Sequence, residues 1–303
     1  MHFANYYMVN TMTKVAVIST NDRVYGVNKS LELLELNPVK NKDVIFKPNF
    51  NTADPPPASS SMETVKQLVL KLKEMGAKSI TIAERAGPAK TSDVFEKKGL
   101  NALAKELDFT IVDLTRIPQN EYVLKKPEGS HWRDGFFFAK IYDEAECIVE
   151  TCCLKTHMYG GHFTLSLKNA VGIVKKKNMS ELHSSEHQRE MIAEINSIYK
   201  PDLIVMDGVL TFVDRGPMEG TRVEGNVFVA GTDKIAIDAV GVAILRILGT
   251  TPEVTKGPIF EQDQIKRAVE LDLGVTSPLD IEFLTDSEES ERLVAKIKEK
   301  LAQ

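Results

Sequence analysis

The chain has 303 residues, of which 43% are hydrophobic and 27% are charged, and its formal net charge is -5 at pH 7. This is the composition of a globular protein with a sizeable core, and the small negative charge predicts no general attraction to nucleic acid or to a membrane surface. No apolar run approaches the roughly 20 residues that a bilayer-spanning helix needs.

The first residues lack the pattern of a secretion signal, because "MHFANYYMVNTMTKVAVIST" has no basic segment followed by a long apolar one. We expect residues 1–13 to form an N-terminal extension and ordered structure to begin near Lys14. The three cysteines, Cys147, Cys152 and Cys153, lie too close together in the sequence to staple a fold. This cysteine usage predicts a reducing, cytoplasmic compartment.

Strands and helices alternate along the first half of the chain. Short apolar or β-branched runs predict strands, whereas apolar residues at helical spacing predict helices. The predicted strands cover residues 14–20, 43–50, 79–85 and 109–114, and the predicted helices lie within 29–36, 60–76 and 91–107. Such alternation is typical of α/β proteins, so we predict a mostly parallel sheet flanked by helices on both faces.

The same alternation continues after a polar segment at residues 115–135. Strands are predicted at 145–155, 201–210 and the start of 226–249, and helices at 184–200, the rest of 226–249, 259–274 and 285–303. We therefore expect a single α/β domain over residues 14–275, either undivided or built of two sub-lobes that meet near 115–135. Residues 276–303 are predicted to be a C-terminal tail with a surface helix.

Polar side chains stand at the carboxyl ends of several predicted strands, which is where open α/β sheets bind their ligands. These side chains are Lys47, Asn49, Glu84, Arg85, Lys155, His157 and Asp207. Lysine charges together with amide and imidazole donors at one rim would hold a phosphate or a carboxylate. The alternative is that the lysines at these strand ends simply face solvent.

Lys168 and Asn169 lie in the largely apolar run "FTLSLKNAVGIV". A lysine near a core must pair with a carboxylate, change its pKa or hold an anionic ligand. The alternative is a stem that packs on the core while its ammonium reaches water. We count both residues as ligand-binding candidates.

A third polar stretch is "GTDKIAIDAVG", residues 231–241. Asp233 precedes a predicted helix, so a capping role is favoured over ligand binding, although helix N-termini also attract anions. Asp238 lies among apolar residues and is a candidate acid, base or metal-binding carboxylate. Lys234, one turn earlier, is placed to neutralise it.

The evidence for a metal site in the sequence is weak. "HSSEH" fits the H-x-x-E-H pattern, in which His183 and His187 would share one helix face over zinc, but no third ligand follows. Cys152 and Cys153 are adjacent in a predicted strand, so they should point to opposite faces and pack in the core. Neither a G-x-G-x-x-G nor a Walker loop occurs, so no particular cofactor is predicted.

Several of these stretches recur in order in one known family. They are "KPNF" (47–50), "LKTH" (154–157), "TLSLKNAVG" (164–172), "MDGV" (206–209), "MEG" (218–220) and "GTDKIAIDAVG" (231–241). In this combination the chain resembles the family catalogued as domain of unknown function 362, from roughly Lys14 to Gly274. The resemblance implies a site role for His183 but none for His187. Many members carry a ferredoxin-like segment for iron–sulfur clusters, and this chain shows no such cysteines.

These observations lead to one functional hypothesis and two alternatives. The favoured hypothesis is an anion-binding crevice, used by an enzyme that acts on a phosphorylated or carboxylated small molecule. Ligand contacts are then expected from Lys47, Asn49, Lys155, Lys168, Asn169 and Asp233, and catalysis from His157, Asp207 and Asp238. The first alternative is a non-catalytic partner of a redox or iron–sulfur protein. The second is a divalent-metal enzyme that uses His157, His183, Asp207 and Asp238.

Overall fold

A computed structural model of the protein describes residues 12–303, so most of the predicted N-terminal extension lies outside the described residues. The strands are β1 (Thr13–Ser19), β2 (Asp43–Lys47), β3 (Ser79–Glu84), β4 (Thr110–Asp113), β5 (Tyr122–Lys125), β6 (Phe136–Ala139), β7 (Cys147–His157), β8 (His162–Thr164), β9 (Leu203–Phe212), β10 (Arg222–Glu224), β11 (Val227–Gly231) and β12 (Ile281–Leu284).

The α-helices lie mainly between these strands. They are α1 (Arg23–Leu34), α2 (Met62–Glu74), α3 (Thr91–Lys97), α4 (Leu100–Leu107), α5 (Lys140–Asp143), α6 (Ser166–Asn169), α7 (Met179–Ser184), α8 (Gln188–Ile195), α9 (Lys234–Leu248), α10 (Pro252–Thr255), α11 (Asp263–Glu270) and α12 (Glu288–Leu301). A serine caps α2: the side chain of Ser61 accepts a hydrogen bond from the backbone N–H of Glu63.

The main sheet has the strand order β12-β1-β11-β9-β7-β2-β3-β4, with β10 and β8 added beside β9 and β7. The neighbours β9, β7, β2, β3 and β4 are parallel, as are β12 and β1. Strand β11 runs antiparallel to both β1 and β9. The predicted fold class, a mostly parallel α/β sheet, is confirmed. The extent of its domain stays a prediction.

Helices cover both faces of the sheet, and the side chains of β1 alternate between two core clusters. Val15 and Val17 of β1 pack in a cluster with α9, α11 and α12, whereas Ala16 and Ile18 pack in a second cluster with α1, α2, α3 and α4. This alternation follows from the two-residue period of a strand. Because both faces are buried, the central strands appear in the sequence as continuous apolar runs.

Three local features differ from the expectation. The polar segment 115–135 contains β5, which pairs antiparallel with β6 just after the segment. The helix expected over 91–107 is divided at Gly99, whose φ of 70° suits glycine. The tail contributes β12, which pairs in parallel with β1, before α12 begins. A short edge strand of this kind has too few residues for its period to stand out in the sequence.

Candidate functional site

A cavity of about 730 Å³ lies at the carboxyl ends of β2, β3 and β7. These strands are adjacent and parallel, so their last residues meet at one edge of the sheet. The cavity is lined by Lys47 from the end of β2, Glu84 from the end of β3, and Lys155 and His157 from the end of β7. Convergence of these strand ends was the expectation from the sequence.

Lys47 is fully engaged inside the protein. Its Nζ donates to Glu84 Oε2 at 2.7 Å, to the Pro48 carbonyl oxygen at 2.8 Å and to Asn169 Oδ1 at 3.3 Å. An ammonium has three N–H donors, so these three acceptors leave none for a ligand. The structure therefore gives Lys47 an internal ion pair instead of the direct ligand contact expected from the sequence.

The two predicted asparagines join the lysines of the cavity wall. Asn49 Nδ2 donates to Asn169 Oδ1 at 3.1 Å, while Asn49 Oδ1 accepts from Lys155 Nζ at 3.1 Å. Asn169 Nδ2 in turn donates to the Thr151 carbonyl oxygen. Lys155 makes one more bond, to the Ala58 carbonyl oxygen at 2.6 Å, which leaves one N–H free.

Lys168 also lines the cavity but has no internal partner. It is 7% exposed, and within residues 12–303 its Nζ makes neither a hydrogen bond nor an ion pair. Burial lowers its pKa to about 8, and the positive charges of Lys155 and Arg85 act in the same direction. Of the lysines predicted for this site, Lys168 is the one with all of its donors available.

His157 is a neutral imidazole in this setting. Burial lowers its pKa well below the usual value, and Lys168, Lys155 and His183 lower it further. Its Nδ1 is buried and has no hydrogen-bond partner within the described part of the chain. A Cβ atom at Gly161 would lie 2.9 Å from His157 Nδ1 and 3.2 Å from Lys168 Cε, so both side chains close on this glycine.

Positive charge dominates the cavity lining. The lysine and arginine side chains that line it are Lys47, Arg85, Lys155, Lys168 and Lys176. Among the described residues, Glu84 is the one carboxylate in the lining, and it is already paired with Lys47. The Arg85 guanidinium donates to the carbonyl oxygens of Val174, Ala86 and Val171, so its charge is not neutralised by a contact within salt-bridge distance. Such an excess of charge in a concave site favours an anion.

The remaining wall of the cavity is largely apolar. Val171, Met179, Pro217 and Met218 belong to it, together with the ring of Tyr159. Tyr159 is 54% exposed, and its ring meets the ring of His157 edge-on with centroids 5.9 Å apart. A cavity with one cationic side and one apolar side is suited to a molecule that is itself two-sided.

The structure does not bring Asp207 to this cavity. We expected it at a strand end, but β9 continues to Phe212, so Asp207 lies inside the strand. Its carboxylate accepts from Arg23 Nε at 2.9 Å and from Thr64 Oγ1 at 2.7 Å, which ties β9 to α1 and α2. These contacts give Asp207 a structural role, and it does not line the cavity.

Asp238 and Asp233 also have structural partners outside the cavity. Asp238 is fully buried and accepts from the backbone N–H groups of Ser166 and Leu167, which pins α6 to α9. Burial raises its pKa well above the usual range. Asp233 caps α9 by accepting from the Ala236 N–H at 2.9 Å, as favoured from the sequence.

Lys234 does not neutralise Asp238 by direct contact. Its Nζ donates instead to the carbonyl oxygens of Asn196 and Tyr199, at the end of the segment that follows α8. Burial lowers the pKa of Lys234 to about 7. The expected pairing of Lys234 with Asp238 along α9 was therefore wrong, because the ammonium donates to backbone carbonyl oxygens of another segment instead.

The two histidines of "HSSEH" are not on one helix. His183 belongs to α7 and lines the cavity, where its Nδ1 accepts from Gln188 Nε2 at 3.0 Å. His187 lies just before α8 and stacks on His131, with ring centroids 4.2 Å apart. Across residues 12–303, no three side chains of the metal-binding types converge, so the four-residue metal set is not assembled. Cys147, Cys152 and Cys153 are buried free thiols, and burial was predicted for Cys152 and Cys153.

The sequence pattern assigns no ligand role to several residues of the cavity wall. The sequence places Arg85 after a strand without marking it as a ligand contact, and it does not mark Tyr159 or Gln188 at all, yet all three line the cavity. Arg85 follows β3 in the same way that Lys47 ends β2, so its position was a usable signal. Tyr159 and Gln188 come from a turn and a helix start, and only the folded chain places them beside His157 and His183.

The family comparison agrees with the motifs. A model of the family described as "Domain of unknown function (DUF362)" matches residues 44–243, which is more than half of the chain. The chain belongs to this family. The matched range includes β7, α6 and all of β2 except its first residue, and thus every lysine of the candidate site. The DUF362 region also ends within α9, so α10 to α12 lie outside it.

Two individual proteins can be compared with this DUF362 member. Thylakoid-associated protein sll1697 from Synechocystis sp. (strain ATCC 27184 / PCC 6803 / Kazusa) is 26% identical over 211 residues, which cover 67% of this chain and 63% of that protein. The chain thus spans less than two thirds of that relative. The lactate racemase apoprotein from Thermoanaerobacterium thermosaccharolyticum is 13% identical, with a TM-score of 0.47 over 95% of this chain and 87% of that one. None of the helices in residues 12–303 has both the length and the apolar character to cross a bilayer.

Proposed function

We propose that the cavity binds a small molecule carrying a phosphate or a carboxylate, and that the protein is an enzyme acting on that molecule. The observation that carries the proposal is the unpartnered ammonium of Lys168, buried in a cavity where lysines and arginine outnumber carboxylates. A buried cation without a counter-ion is costly, and an anionic ligand would supply that counter-ion.

The anion would lie between Lys168 and Lys155. Lys168 offers three N–H donors and Lys155 offers one, whereas Lys47 has none left. The asparagine pair holds Lys155 in place, because Asn49 accepts from it and is itself bonded to Asn169. Donors fixed in this way stabilise negative charge that develops during a reaction without having to reorganise.

His157 is the proposed proton-transfer group. It is neutral because it is buried beside Lys168 and Lys155, so it is able to accept a proton. A bound anion would offset the two lysine charges and raise the pKa of His157 towards the physiological range. Asp207 and Asp238 are left out of this mechanism because neither lines the cavity.

The shape of the cavity narrows the ligand class. Its volume of about 730 Å³ is that of a site for a small organic molecule rather than for an inorganic ion alone. The apolar side, with Val171, Met179 and Met218, would hold a hydrophobic or flat body while the lysines hold the charged group. We therefore propose a two-sided ligand: an anionic head on an apolar body. The buried free thiols fit the cytoplasmic location that we infer.

Calorimetric titration with phenyl phosphate and with benzoate tests the proposal. We expect one of the two to bind wild-type protein and to bind Lys168→Met at least about tenfold more weakly, because a charge-assisted contact is lost. Lys66→Met, a change at an exposed lysine of α2 outside the cavity, should bind like wild type. Equal binding by wild type, Lys168→Met and Lys155→Met would refute the proposed site.

The alternative of a non-catalytic partner protein makes a different prediction. The exposed apolar residues Met158 and Tyr159 lie beside the cavity, and a protein partner would cover them. The name of the relative, thylakoid-associated protein sll1697, indicates no substrate and therefore favours neither hypothesis. Stable co-purification of a redox protein that Tyr159→Ser abolishes, together with no binding of either probe, would favour the partner hypothesis.

A further inference from the structure

Lys168 differs from the other buried lysines in its lack of partners. The buried lysines Lys47, Lys155 and Lys234 each donate to two or three oxygen atoms of the protein. Lys168 donates to none among the described residues, yet it is 7% exposed and lines the cavity. A lysine that only stabilised the fold would be bonded in the way the other three are.

The backbone that carries Lys168 is held rigidly. Asp238 accepts from the N–H groups of Ser166 and Leu167, and Asn196 Nδ2 donates to the Leu167 carbonyl oxygen at 2.8 Å. These bonds attach α6 to α9 and to the end of α8 through residues that do not line the cavity. The backbone of Lys168 is thus held in place while its amine has no partner in the protein, an arrangement that is preorganised for a reaction at the amine.

A proton acceptor lies next to Lys168. The side chains of His157 and Lys168 both close on Gly161, at 2.9 Å and 3.2 Å from the position of a Cβ atom there. Burial and the nearby charges of Lys155 and Arg85 lower the pKa of Lys168 to about 8, so part of the amine is neutral near neutral pH. A desolvated lysine beside other cations is the arrangement in which a lysine amine becomes nucleophilic.

We propose that Lys168 is a nucleophile that forms an imine with an anionic carbonyl compound, a carboxylate or phosphate that also carries an aldehyde or ketone. This rests on the proposed anion site and names its substrate class. The Nζ lone pair attacks the carbonyl carbon, a C–N bond forms and the π electrons move to oxygen. His157 carries one proton from nitrogen to oxygen, which gives the carbinolamine, and then carries the second N–H proton to the hydroxyl, which leaves as water when the C=N bond forms. No oxidant or reductant is needed.

The test uses two pairs of probes that differ only at the carbonyl. Pyridoxal 5′-phosphate and 4-formylbenzoate are the aldehydes, and pyridoxine 5′-phosphate and 4-(hydroxymethyl)benzoate are the matching alcohols. The full chain is incubated with each aldehyde and cyanoborohydride, and the labelled lysines are identified by peptide mass spectrometry. Calorimetry measures binding of the alcohols. The variants are Lys168→Arg and the control Lys177→Arg, a lysine of the same chain segment that does not line the cavity.

We expect the aldehyde with the preferred anion to label Lys168 at least about tenfold faster than Lys177, since only Lys168 is activated. Lys177→Arg should be labelled like wild type. Lys168→Arg should lose the fast label, and a cooperative urea-unfolding transition shows that the variant is folded. The phosphate and carboxylate arms identify which anionic group the site takes.

Two outcomes separate the imine proposal from the anion site on which it rests. If an alcohol binds in the cavity but Lys168 is labelled no faster than Lys177, the imine proposal is wrong and the anion site stands. If neither alcohol binds and labelling is spread over exposed lysines, both proposals are wrong.

Discussion

Lys47 and Glu84 form a buried ion pair at the ends of two neighbouring parallel strands, with Nζ and Oε2 2.7 Å apart. Neither residue is more than 2% exposed in its side chain. Glu84 also accepts from the backbone N–H groups of Phe50 and Arg85. Gly172 leaves room for the pair, because a Cβ atom there would lie 2.6 Å from Glu84 Oε1. The pair thus fixes the floor of the cavity.

Removal of the Glu84 charge should destabilise the protein strongly. In Glu84→Gln the Lys47 ammonium stays buried without its counter-ion, a change that costs about 3–5 kcal/mol in comparable buried pairs. Urea unfolding at pH 7 measures the effect. Glu106→Gln, which breaks the exposed pair between Lys66 and Glu106, is the control and should unfold like wild type. Equal stability of both variants would show that the buried pair is not structural.

Lys168→Met should make the folded protein more stable at neutral pH. The folded pKa of Lys168, about 8, lies below that of an unfolded lysine, so the folded state carries a buried cation at pH 7 at a cost of up to about 3 kcal/mol. That cost is complete below pH 8 and disappears as the pH rises from 8 to the unfolded pKa. The gain in the free energy of unfolding should therefore shrink between pH 7 and pH 10. A less stable Lys168→Met at pH 7 would contradict this account.

Ligand binding should take up protons at mildly alkaline pH. At pH 8.5 much of Lys168 is neutral, and a bound carboxylate would raise its pKa and draw a proton from the buffer. Titration of whichever alcohol probe binds, pyridoxine 5′-phosphate or 4-(hydroxymethyl)benzoate, in buffers with different ionisation enthalpies measures the number of protons. We expect an uptake of up to about one proton for wild type and much less for Lys168→Met. If both proteins took up the same number of protons, the proton would bind to a group other than Lys168.

Glu150 should set part of the pH dependence of stability. It is fully buried in β7, and burial raises its pKa to about 7. The pKa of Glu150 is higher in the folded protein than in the unfolded chain. The contribution of Glu150 to the free energy of unfolding is therefore complete below the unfolded pKa of about 4.5 and is lost as the pH rises through 7. Glu150→Gln should therefore lose less stability between pH 5 and pH 8 than wild type, by up to about 3 kcal/mol. Parallel urea-unfolding profiles for the two proteins would contradict the assignment.

The sequence predicted which side chains lie at the strand ends better than it predicted the hydrogen-bond and ion-pair partners of those side chains. Lys47, Lys155 and His157 were expected at one rim, and all three line the cavity. The period of the strands and their order of alternation with helices are local properties, so they are visible in the sequence. Asp207 was misplaced because the apolar run of β9 does not show where the strand ends beyond Gly208.

The sequence by itself determined the α/β class, the buried strands and the family motifs that carry the lysines. The tertiary structure decided which lysine is free. Lys47 contacts Glu84 because β2 and β3 pair in parallel, and it contacts Asn169 because α6 packs beside the end of β2. Lys168 contacts no acceptor among the described residues. Each of these contacts joins residues far apart in the chain, and a hydrogen bond or ion pair depends on distances that only the packed fold sets.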